Sequence, residues 1–301
     1  MSPTLPVPPR RAVALLLMVV APVLWSTAGV MTRHVEGASG FEMVFWRSLF
    51  AGLFVAATLI LWRGAGALRA VYATGWPGLA SGALWAVMFT CFMLALTLTS
   101  TARTLVTMSV SPLFTALAAL WFLREPISRA TWIAVVVALF GMLVMFQQGL
   151  NESGALAGTL VALCVPLASA FNVVILRRAR VDLIPAVMLG AVISVLVCLP
   201  LSLPFAGSAR DVAILAGLGL FQLGFPCVLY VIASRVLLAP ELALLALIEV
   251  VLGPVWAWWG AGEAPGGGTL LGGALVLAAL AGNQVAAYGQ SRSRSAADAG
   301  G

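Results

Sequence analysis

The chain has 301 residues, of which 62% are hydrophobic and 9% are charged, and its mean hydropathy is +1.09. Soluble proteins contain about 25% charged residues, so this composition excludes an ordinary soluble domain and indicates an integral membrane protein. The 16 basic residues are all arginines and outnumber the 10 acidic ones, which gives a net charge of +6. They are spread thinly between apolar runs and form no basic surface patch, so we predict no nucleic-acid partner.

Apolar runs divide the chain into ten predicted membrane-spanning helices, numbered here as spans 1 to 10. A helix needs about 20 apolar residues to cross a hydrocarbon core about 30 Å thick, and its backbone groups must be hydrogen-bonded within the segment. The predicted spans are residues 12–32, 43–62, 78–98, 104–123, 131–148, 155–176, 184–205, 212–234, 242–260 and 267–288. The polar ends, residues 1–11 and 289–301, are predicted to be disordered tails.

Arginine is distributed unequally between the two faces that ten crossings define. One face carries twelve arginines, namely Arg10, Arg11, Arg63, Arg69, Arg124, Arg129, Arg177, Arg178, Arg180, Arg235, Arg292 and Arg294. The other carries three, Arg33, Arg103 and Arg210. Cytoplasmic loops are enriched in basic residues. The sequence therefore predicts a multi-pass protein of the plasma (inner) membrane with both termini cytoplasmic.

The ten spans divide into two halves with partial internal similarity, in which a shift of 138 residues aligns Glu125 with Glu263. Each half has five spans, an odd number, so the second half starts on the opposite face and has the inverted orientation. The sequence thus predicts an all-α membrane protein in which residues 12–148 and 155–288 form two inverted five-helix repeats. Secondary transporters use such repeats to open a midplane site to each face in turn.

Several segments resemble the EamA family of the drug/metabolite transporter superfamily. In the first half these are LWSTAGVMTR (24–33), FWRSLFAGL (45–53) and SPLFTALAALWFLREP (111–126). In the second half they are FQLGFPCVLYVIAS (221–234), LIEVVLGPVWAWWGAGEAP (247–265) and LLGGALVLAALAG (270–282). This chain has Glu249-Val250 where the family commonly has Glu-Pro, although Pro254 follows. The resemblance implies a gradient-driven transporter of small metabolites or drugs, often an amino-acid exporter.

Glu249 lies near the middle of span 9, between the apolar stretches LALLALI and VVLGPVWAWW. A charged residue at the centre of a spanning helix costs about 2.5 to 3.5 kcal/mol on insertion scales, so Glu249 is expected to face protein or water. We interpret it as a site for a substrate amine or a proton. The alternative is a structural carboxylate hydrogen-bonded to a neighbouring helix.

Arg47 lies about five residues inside span 2, and its planar guanidinium is suited to holding a substrate carboxylate. The alternatives are an arginine that snorkels to the interface or one that pairs with Glu42. At a rise of about 1.5 Å per residue, the levels of Arg47 and Glu249 differ by about 10 Å. A gap of that size suits a bridging zwitterion.

Aromatic, polar and proline residues inside spans complete the candidate site. The candidates for contact with an apolar or aromatic substrate group are Trp25, Trp85 and Tyr230, and those for hydrogen bonding are Ser26, Asn172 and Gln222. Prolines remove a backbone hydrogen bond and kink a helix, so the candidate hinges are Pro22, Pro112, Pro166, Pro226 and Pro254. The alternatives are interfacial belts or helix packing for the aromatic residues, hydrogen bonds to another helix for the polar ones, and static packing for the prolines.

The spans lack the residues that intramembrane catalysis needs. The only histidine, His34, and the three aspartates Asp182, Asp211 and Asp298 lie outside the spans, and a chain without lysine has no Walker motif. The four cysteines lack metal-ligand spacing, so no metal and no cofactor are expected. We predict no enzyme.

The prediction for function is a secondary transporter, an exporter of small metabolites such as amino acids or amphipathic drugs, that works by alternating access around a midplane cavity. Export is implied by the resemblance alone. The predicted partners are a small-molecule substrate, the lipid bilayer and, as a candidate co-substrate, protons. A lipid-moving or non-transporting membrane subunit is the alternative that the sequence leaves open.

Overall fold

The protein is described by a computed structural model that covers most of the chain. The described residues are 9–99, 101–124, 127–146, 155–179, 181–261, 267, 271, 272, 274–276, 278, 279, 281–283, 285 and 286. The structure is 86% helical, and the described residues contain no strand. The predicted tails fall almost wholly outside these residues, as do Glu125 and Glu263, one aligned pair of the two halves.

Long apolar stretches of both halves form helices, several of which are interrupted by a turn. In the first half the helices are α1 (Arg11–Trp25), α2 (Ala28–Thr32), α3 (Gly40–Arg63), α4 (Ala67–Ala73), α5 (Gly75–Leu98), α6 (Thr101–Met108), α7 (Ser111–Ala118) and α8 (Arg129–Phe146). In the second half they are α9 (Ala155–Arg178), α10 (Ile184–Ser202), α11 (Ala209–Gly217), α12 (Phe225–Ala233), α13 (Ala239–Ala246) and α14 (Ile248–Ala261). Short π-helical segments, Ala119–Leu123 and Leu218–Gly224, follow α7 and α11.

Seven helical stretches of the described chain are long and apolar enough to cross a membrane. They are Arg11–Thr32, Gly40–Ala73, Gly75–Leu98, Leu156–Arg178, Ile184–Ser202, Ala209–Ala233 and Ala239–Gly260. Three shorter apolar helices are Ser111–Leu123, Arg129–Gly141 and Ala274–Asn283. Each predicted span overlaps one of these ten helices. Since only seven of them reach spanning length, the count of ten crossings stays a prediction.

Three apolar stretches contain a break in the helix. The breaks are Ser26–Thr27 between α1 and α2, Ser109–Val110 between α6 and α7, and Leu247 between α13 and α14. At the first break the Ser26 hydroxyl donates to the Val23 carbonyl at 2.6 Å, which offers the backbone an alternative to a continued helix. At the second, Pro112 is the second residue of α7 and has no N–H to bond back across the turn.

The two halves pack against each other along most of their length. α3 packs on α10, α5 packs on α9 and α10, and α12 with the preceding π segment packs on α1 and α3. A single hydrophobic cluster runs through these contacts and takes residues from both halves. Both halves of the chain therefore contribute residues to the interior of the bundle.

Polar contacts tie the α3–α10 pair at both ends. At one end the Asp182 carboxylate, just before α10, pairs with Arg63 at the end of α3 and with Arg235 after α12. At the other end the Glu42 carboxylate in the first turn of α3 accepts hydrogen bonds from the backbone N–H groups of residues 206 and 207, each at 3.0 Å. These acidic side chains hold α3 and α10 in register.

Span 8 begins earlier than the apolar pattern predicts. Helix α11 starts at Ala209, so Asp211 lies in its first turn rather than outside the span. The reason is a capping box, in which Ser208 accepts from the Asp211 N–H while the Asp211 carboxylate accepts from the Ser208 N–H. The same carboxylate accepts from the N–H groups of Glu36 and Gly37.

Candidate functional site

A cavity lies where the interrupted helices meet. The space inside it that the centre of a water molecule can reach is about 120 Å³. One water needs about 10–15 Å³ by this measure, so the cavity has room for roughly ten waters or a small organic solute. Its lining residues are Trp25, Arg47, Trp85, Met88, Phe89, Phe92, Leu105, Met108, Ser111, Val165, Pro166, Ser169, Asn172, Gln222, Leu223, Cys227, Tyr230, Ala243, Ala246, Leu247, Glu249 and Val250. Both halves of the chain contribute, and most of the wall is apolar or aromatic.

Seven of the eight residues predicted for the substrate site line this cavity. They are Glu249, Arg47, Trp25, Trp85, Asn172, Gln222 and Tyr230. The cavity thus brings together residues that are up to 224 positions apart, from Trp25 to Glu249. The eighth, Ser26, has a different environment that is described below.

Arg47 is 0% exposed and is held without a carboxylate partner among the described residues. Its Nη1 donates to the Gln222 amide oxygen at 3.4 Å and its Nη2 to the Phe89 carbonyl at 3.2 Å. The guanidinium also lies 5.5 Å from the centre of the Phe92 ring, in cation–π range. The Arg47 Nε has no hydrogen-bond partner. This guanidinium therefore lacks the anionic partner that a buried charge normally has.

The two alternatives considered for Arg47 are wrong. The side chain does not snorkel, because it is fully buried. It does not pair with Glu42, whose carboxylate instead accepts from Trp46 Nε1 and from backbone N–H groups in the 206–207 loop. Helix α3 turns Glu42 toward that loop and Arg47 toward the cavity.

Glu249 is 8% exposed and lies in the first turn of α14, two residues after the break at Leu247. No described residue donates a hydrogen bond to its carboxylate. The N-terminal turn of a helix has unpaired N–H groups and a positive dipole end, so this position favours a carboxylate there more than a mid-helix position does. The break lies at Leu247 and not at Pro254, which is inside α14.

Aromatic rings form one wall of the cavity. The Trp25 and Tyr230 ring centres are 5.8 Å apart, those of Trp85 and Tyr230 are 5.9 Å apart, and those of Trp85 and Phe89 are 5.4 Å apart. These spacings fall in the range of favourable aromatic pairs. The Trp85 Nε1 is buried without a partner. This wall suits an apolar or aromatic solute, and the Trp85 Nε1–H can donate a hydrogen bond to it.

Asn172 and Gln222 extend polar groups into this apolar wall. The Asn172 amide oxygen accepts from the Ser81 hydroxyl at 2.7 Å. Gln222 lies in the π-helical segment before α12, accepts from Arg47 and donates to the Trp25 carbonyl at 3.2 Å. Both amides are therefore held by neighbouring helices at the cavity edge.

Ser26 is not among the residues that line the cavity. Its hydroxyl donates to the Val23 carbonyl and accepts from Trp256 Nε1 at 2.7 Å, and the side chain is 2% exposed. The helix break at Ser26–Thr27 turns this side chain toward α14 instead. Ser26 joins two helices, as the packing alternative proposed.

The five candidate hinge prolines occupy different local settings. Pro22, Pro166 and Pro254 lie inside α1, α9 and α14, whereas Pro112 and Pro226 lie in the first turns of α7 and α12. Pro166 lines the cavity. Pro112 and Pro226 each follow an irregular segment, the break at Ser109–Val110 and the π segment. Their role as hinges stays a prediction.

Several cavity residues that share a helix face with the predicted ones are not among the predicted residues. Met88, Phe89 and Phe92 lie three, four and seven positions after Trp85, on one face of α5, and all line the cavity. Helical periodicity counted outward from Trp85 predicts this set. The same spacing relates Ser169 to Asn172, and Cys227 to Tyr230.

Comparison with protein-family models matches residues 12–147 to the EamA-like transporter family, within the drug/metabolite transporter superfamily. The first half of the chain belongs to the EamA-like transporter family. Members of this family are membrane transporters, and with its seven long apolar helices this EamA-like chain is a multi-pass membrane protein. No curated protein matches the sequence.

The fold of this EamA-like protein recurs in a solved structure described as the crystal structure of a protein. The two share 21% sequence identity with a TM-score of 0.76, and the alignment covers 92% of this chain and 98% of the other. The likeness therefore extends well beyond the family match into the second half of the chain.

Proposed function

We propose that this EamA-like protein is a gradient-driven secondary transporter that exports small zwitterionic metabolites, such as amino acids, or amphipathic drugs. One observation carries the proposal. A buried guanidinium and a buried carboxylate, Arg47 and Glu249, line a single apolar cavity without a direct ion pair between them among the described residues. A solute with a carboxylate and an amine gives each of them a partner.

The aromatic wall of the cavity favours a substrate with an apolar or aromatic side chain. Rings of Trp25, Trp85 and Tyr230 offer stacking surface, and burying about 100 Å² of solute surface against them contributes roughly 2.5 kcal/mol. The charged groups then select the end groups of the solute while the wall selects its side chain. This division of roles is typical of small-molecule sites.

Helix pairing supports alternating access by two inverted repeats. The packing of α5 on α9 has its counterpart in that of α12 on α1, as expected if the third helix of each half contacts the first helix of the other. Spans 4 and 9, the fourth of each predicted repeat, are both broken near the cavity. Discontinuous helices at a repeat interface are a feature of secondary-transporter sites.

Loop contacts support the assignment of the loops to two faces, and from the excess of arginine on one face we propose that both termini are on the cytoplasmic side of the plasma membrane. Arg63 and Arg235, assigned to the arginine-rich face, share the Asp182 carboxylate. Arg210, assigned to the other face, pairs with Glu36 at 3.6 Å. Loops that were assigned to the same face of the membrane thus contact each other, as expected if successive loops alternate between the faces.

Protons are the proposed driving co-substrate, exchanged at Glu249. This carboxylate is the acidic side chain of the cavity lining, where the other titratable groups are Arg47, Cys227 and Tyr230. Competition between a proton and a substrate amine for one carboxylate couples the two fluxes in opposite directions. We propose no catalytic activity: within the described residues the cavity lining holds no histidine, and His34 is exposed.

Flux into proteoliposomes tests the proposal. The panel is phenylalanine, phenylethylamine, which lacks the carboxylate, phenylpropionate, which lacks the amine, an amphipathic cationic dye and a fluorescent phospholipid, each with and without a pH gradient. The proposal predicts phenylalanine flux well above that of protein-free vesicles and faster with the gradient. Movement of the phospholipid alone would instead support the lipid-moving alternative, and no flux of any compound would support a non-transporting subunit.

A further inference from the structure

Gln222 connects the buried guanidinium to the broken first span. Its amide oxygen accepts from Arg47 Nη1 at 3.4 Å, and its amide nitrogen donates to the Trp25 carbonyl at 3.2 Å. Trp25 is the last residue of α1 before the Ser26–Thr27 break. One side chain, itself 3% exposed, therefore touches both the charge and the break.

The π-helical segment fixes Gln222 opposite Arg47. Pro226 has no N–H to donate to the carbonyl four residues earlier, that of Gln222, and the Phe225 N–H bonds instead five residues back to the Leu220 carbonyl. Gly219 lets this segment approach α3 closely, because a Cβ there would lie 2.5 Å from the Arg47 carbonyl oxygen. The local sequence thus places the amide at the guanidinium.

The contact between Gln222 and Arg47 is weak enough to be displaced. Its length of 3.4 Å exceeds the usual 2.7–3.2 Å of an N–H···O bond. A carboxylate adds a second charge and can accept two parallel hydrogen bonds from a guanidinium, whereas the neutral amide offers a single uncharged oxygen. A solute carboxylate that reaches Arg47 therefore outcompetes the Gln222 amide.

We propose that Gln222 is a positioning residue that occupies the place of the substrate carboxylate on Arg47 in the empty protein. When the carboxylate arrives, the displaced amide no longer connects Arg47 to the Trp25 carbonyl, and the broken first span is released to change conformation. Binding of the anionic end of the solute is in this way coupled to movement of α1. This inference rests on the proposed transport function.

Two substitutions at Gln222 test the proposal with phenylalanine and phenylethylamine as a matched pair of solutes. Gln222→Glu supplies a permanent carboxylate to Arg47, so the KM for phenylalanine is expected to rise about tenfold or more, which corresponds to about 1.4 kcal/mol. The KM for phenylethylamine, which has no carboxylate to be blocked, stays within about twofold. Gln222→Met removes both hydrogen bonds, so the KM for phenylalanine falls while its maximal rate drops, because binding no longer releases the first span.

A control separates this role from ordinary packing. Ser194→Ala removes two other interhelical hydrogen bonds outside the cavity lining, one donated to the Ala86 carbonyl at 3.3 Å and one accepted from the Thr90 hydroxyl at 3.4 Å. It is expected to leave both KM values and both rates unchanged. Equal changes for phenylalanine and phenylethylamine in the Gln222 variants would overturn the proposal, as would an unaltered phenylalanine KM in Gln222→Glu. Absence of any flux in the unsubstituted protein would overturn the transport function itself, and this inference with it.

Discussion

Arg47 and Glu249 line one cavity from opposite halves of the chain, and within the described residues no ion pair joins them. Opposite charges in contact attract strongly in a medium of low dielectric constant. Holding them apart leaves each available to a group from outside. Asp182 shows the contrasting arrangement, because its carboxylate is shared directly by Arg63 and Arg235 at the end of the bundle.

Replacing the buried guanidinium is expected to remove selectivity for the anionic end of a solute. In Arg47→Gln the KM for phenylalanine should rise about tenfold or more, because a charge-assisted hydrogen bond contributes about 1.5 to 3 kcal/mol. The KM for phenylethylamine should change by less than about twofold. Transport assays on equal amounts of folded protein measure both. A rise of equal size for the two solutes would contradict contact between Arg47 and a carboxylate.

Close helix approach at Gly219 is expected to limit what that position accepts. Gly219→Ala places a methyl group 2.5 Å from the Arg47 carbonyl oxygen and should destabilise the protein by about 1 to 3 kcal/mol. Gly217→Ala is the matched control, because a Cβ there meets nothing within 4 Å. Unfolding in detergent by increasing denaturant measures both. Similar stability of the two variants would mean that α3 and the π segment do not pack as described.

Loss of the Asp182 carboxylate is expected to destabilise one end of the bundle. Asp182→Asn leaves Arg63 and Arg235, both mostly buried, without their shared partner, which should cost about 3 kcal/mol. Glu36→Gln is the control, since the Glu36–Arg210 pair is largely exposed and such pairs contribute little. Melting temperatures of the purified variants test this. An unchanged melting temperature for Asp182→Asn would contradict a stabilising role of the Asp182 carboxylate at this end of the bundle.

Ser26 and Trp256 are expected to act as a structural pair. Ser26→Ala and Trp256→Phe each remove the hydrogen bond between the Ser26 hydroxyl and Trp256 Nε1. A double-mutant cycle should give a coupling of about 0.5 to 1.5 kcal/mol in stability, with an unchanged KM for phenylalanine. A large change in the KM of Ser26→Ala for phenylalanine, with no coupling between Ser26 and Trp256, would instead indicate that Ser26 contacts the substrate.

The sequence predicts the helices and most cavity residues for a simple physical reason. Apolar length identifies segments that need lipid or a core, and a charge inside such a segment is costly enough that Glu249 and Arg47 are expected to face the interior. The direction of each side chain is harder to predict, because it depends on irregular backbone. The break at Ser26–Thr27 turns Ser26 toward Trp256, and the break at Leu247 has no proline of its own to mark it.

Short helices also escape prediction from apolar length alone. Span 4 reads as one run of twenty residues, yet the turn at Ser109–Val110 divides it and leaves Ser111–Leu123 as a shorter apolar helix. Similarly, the apolar pattern starts span 8 at 212, whereas the capping box begins the helix at Ala209. Hydrogen bonding by Ser208 and Asp211 determines this boundary, and hydropathy does not report it.

The most direct test of the site compares Glu249→Gln with Glu241→Gln in proteoliposomes. Glu241 is also a buried carboxylate and lies in the first turn of α13, but it pairs with Arg11 at 2.5 Å and lies outside the cavity lining. The proposed function predicts that Glu249→Gln lowers phenylalanine flux about tenfold or more and abolishes its response to a pH gradient, while Glu241→Gln preserves both per folded molecule. Undiminished, gradient-sensitive phenylalanine flux in Glu249→Gln would contradict the proposal that this carboxylate meets the transported solute.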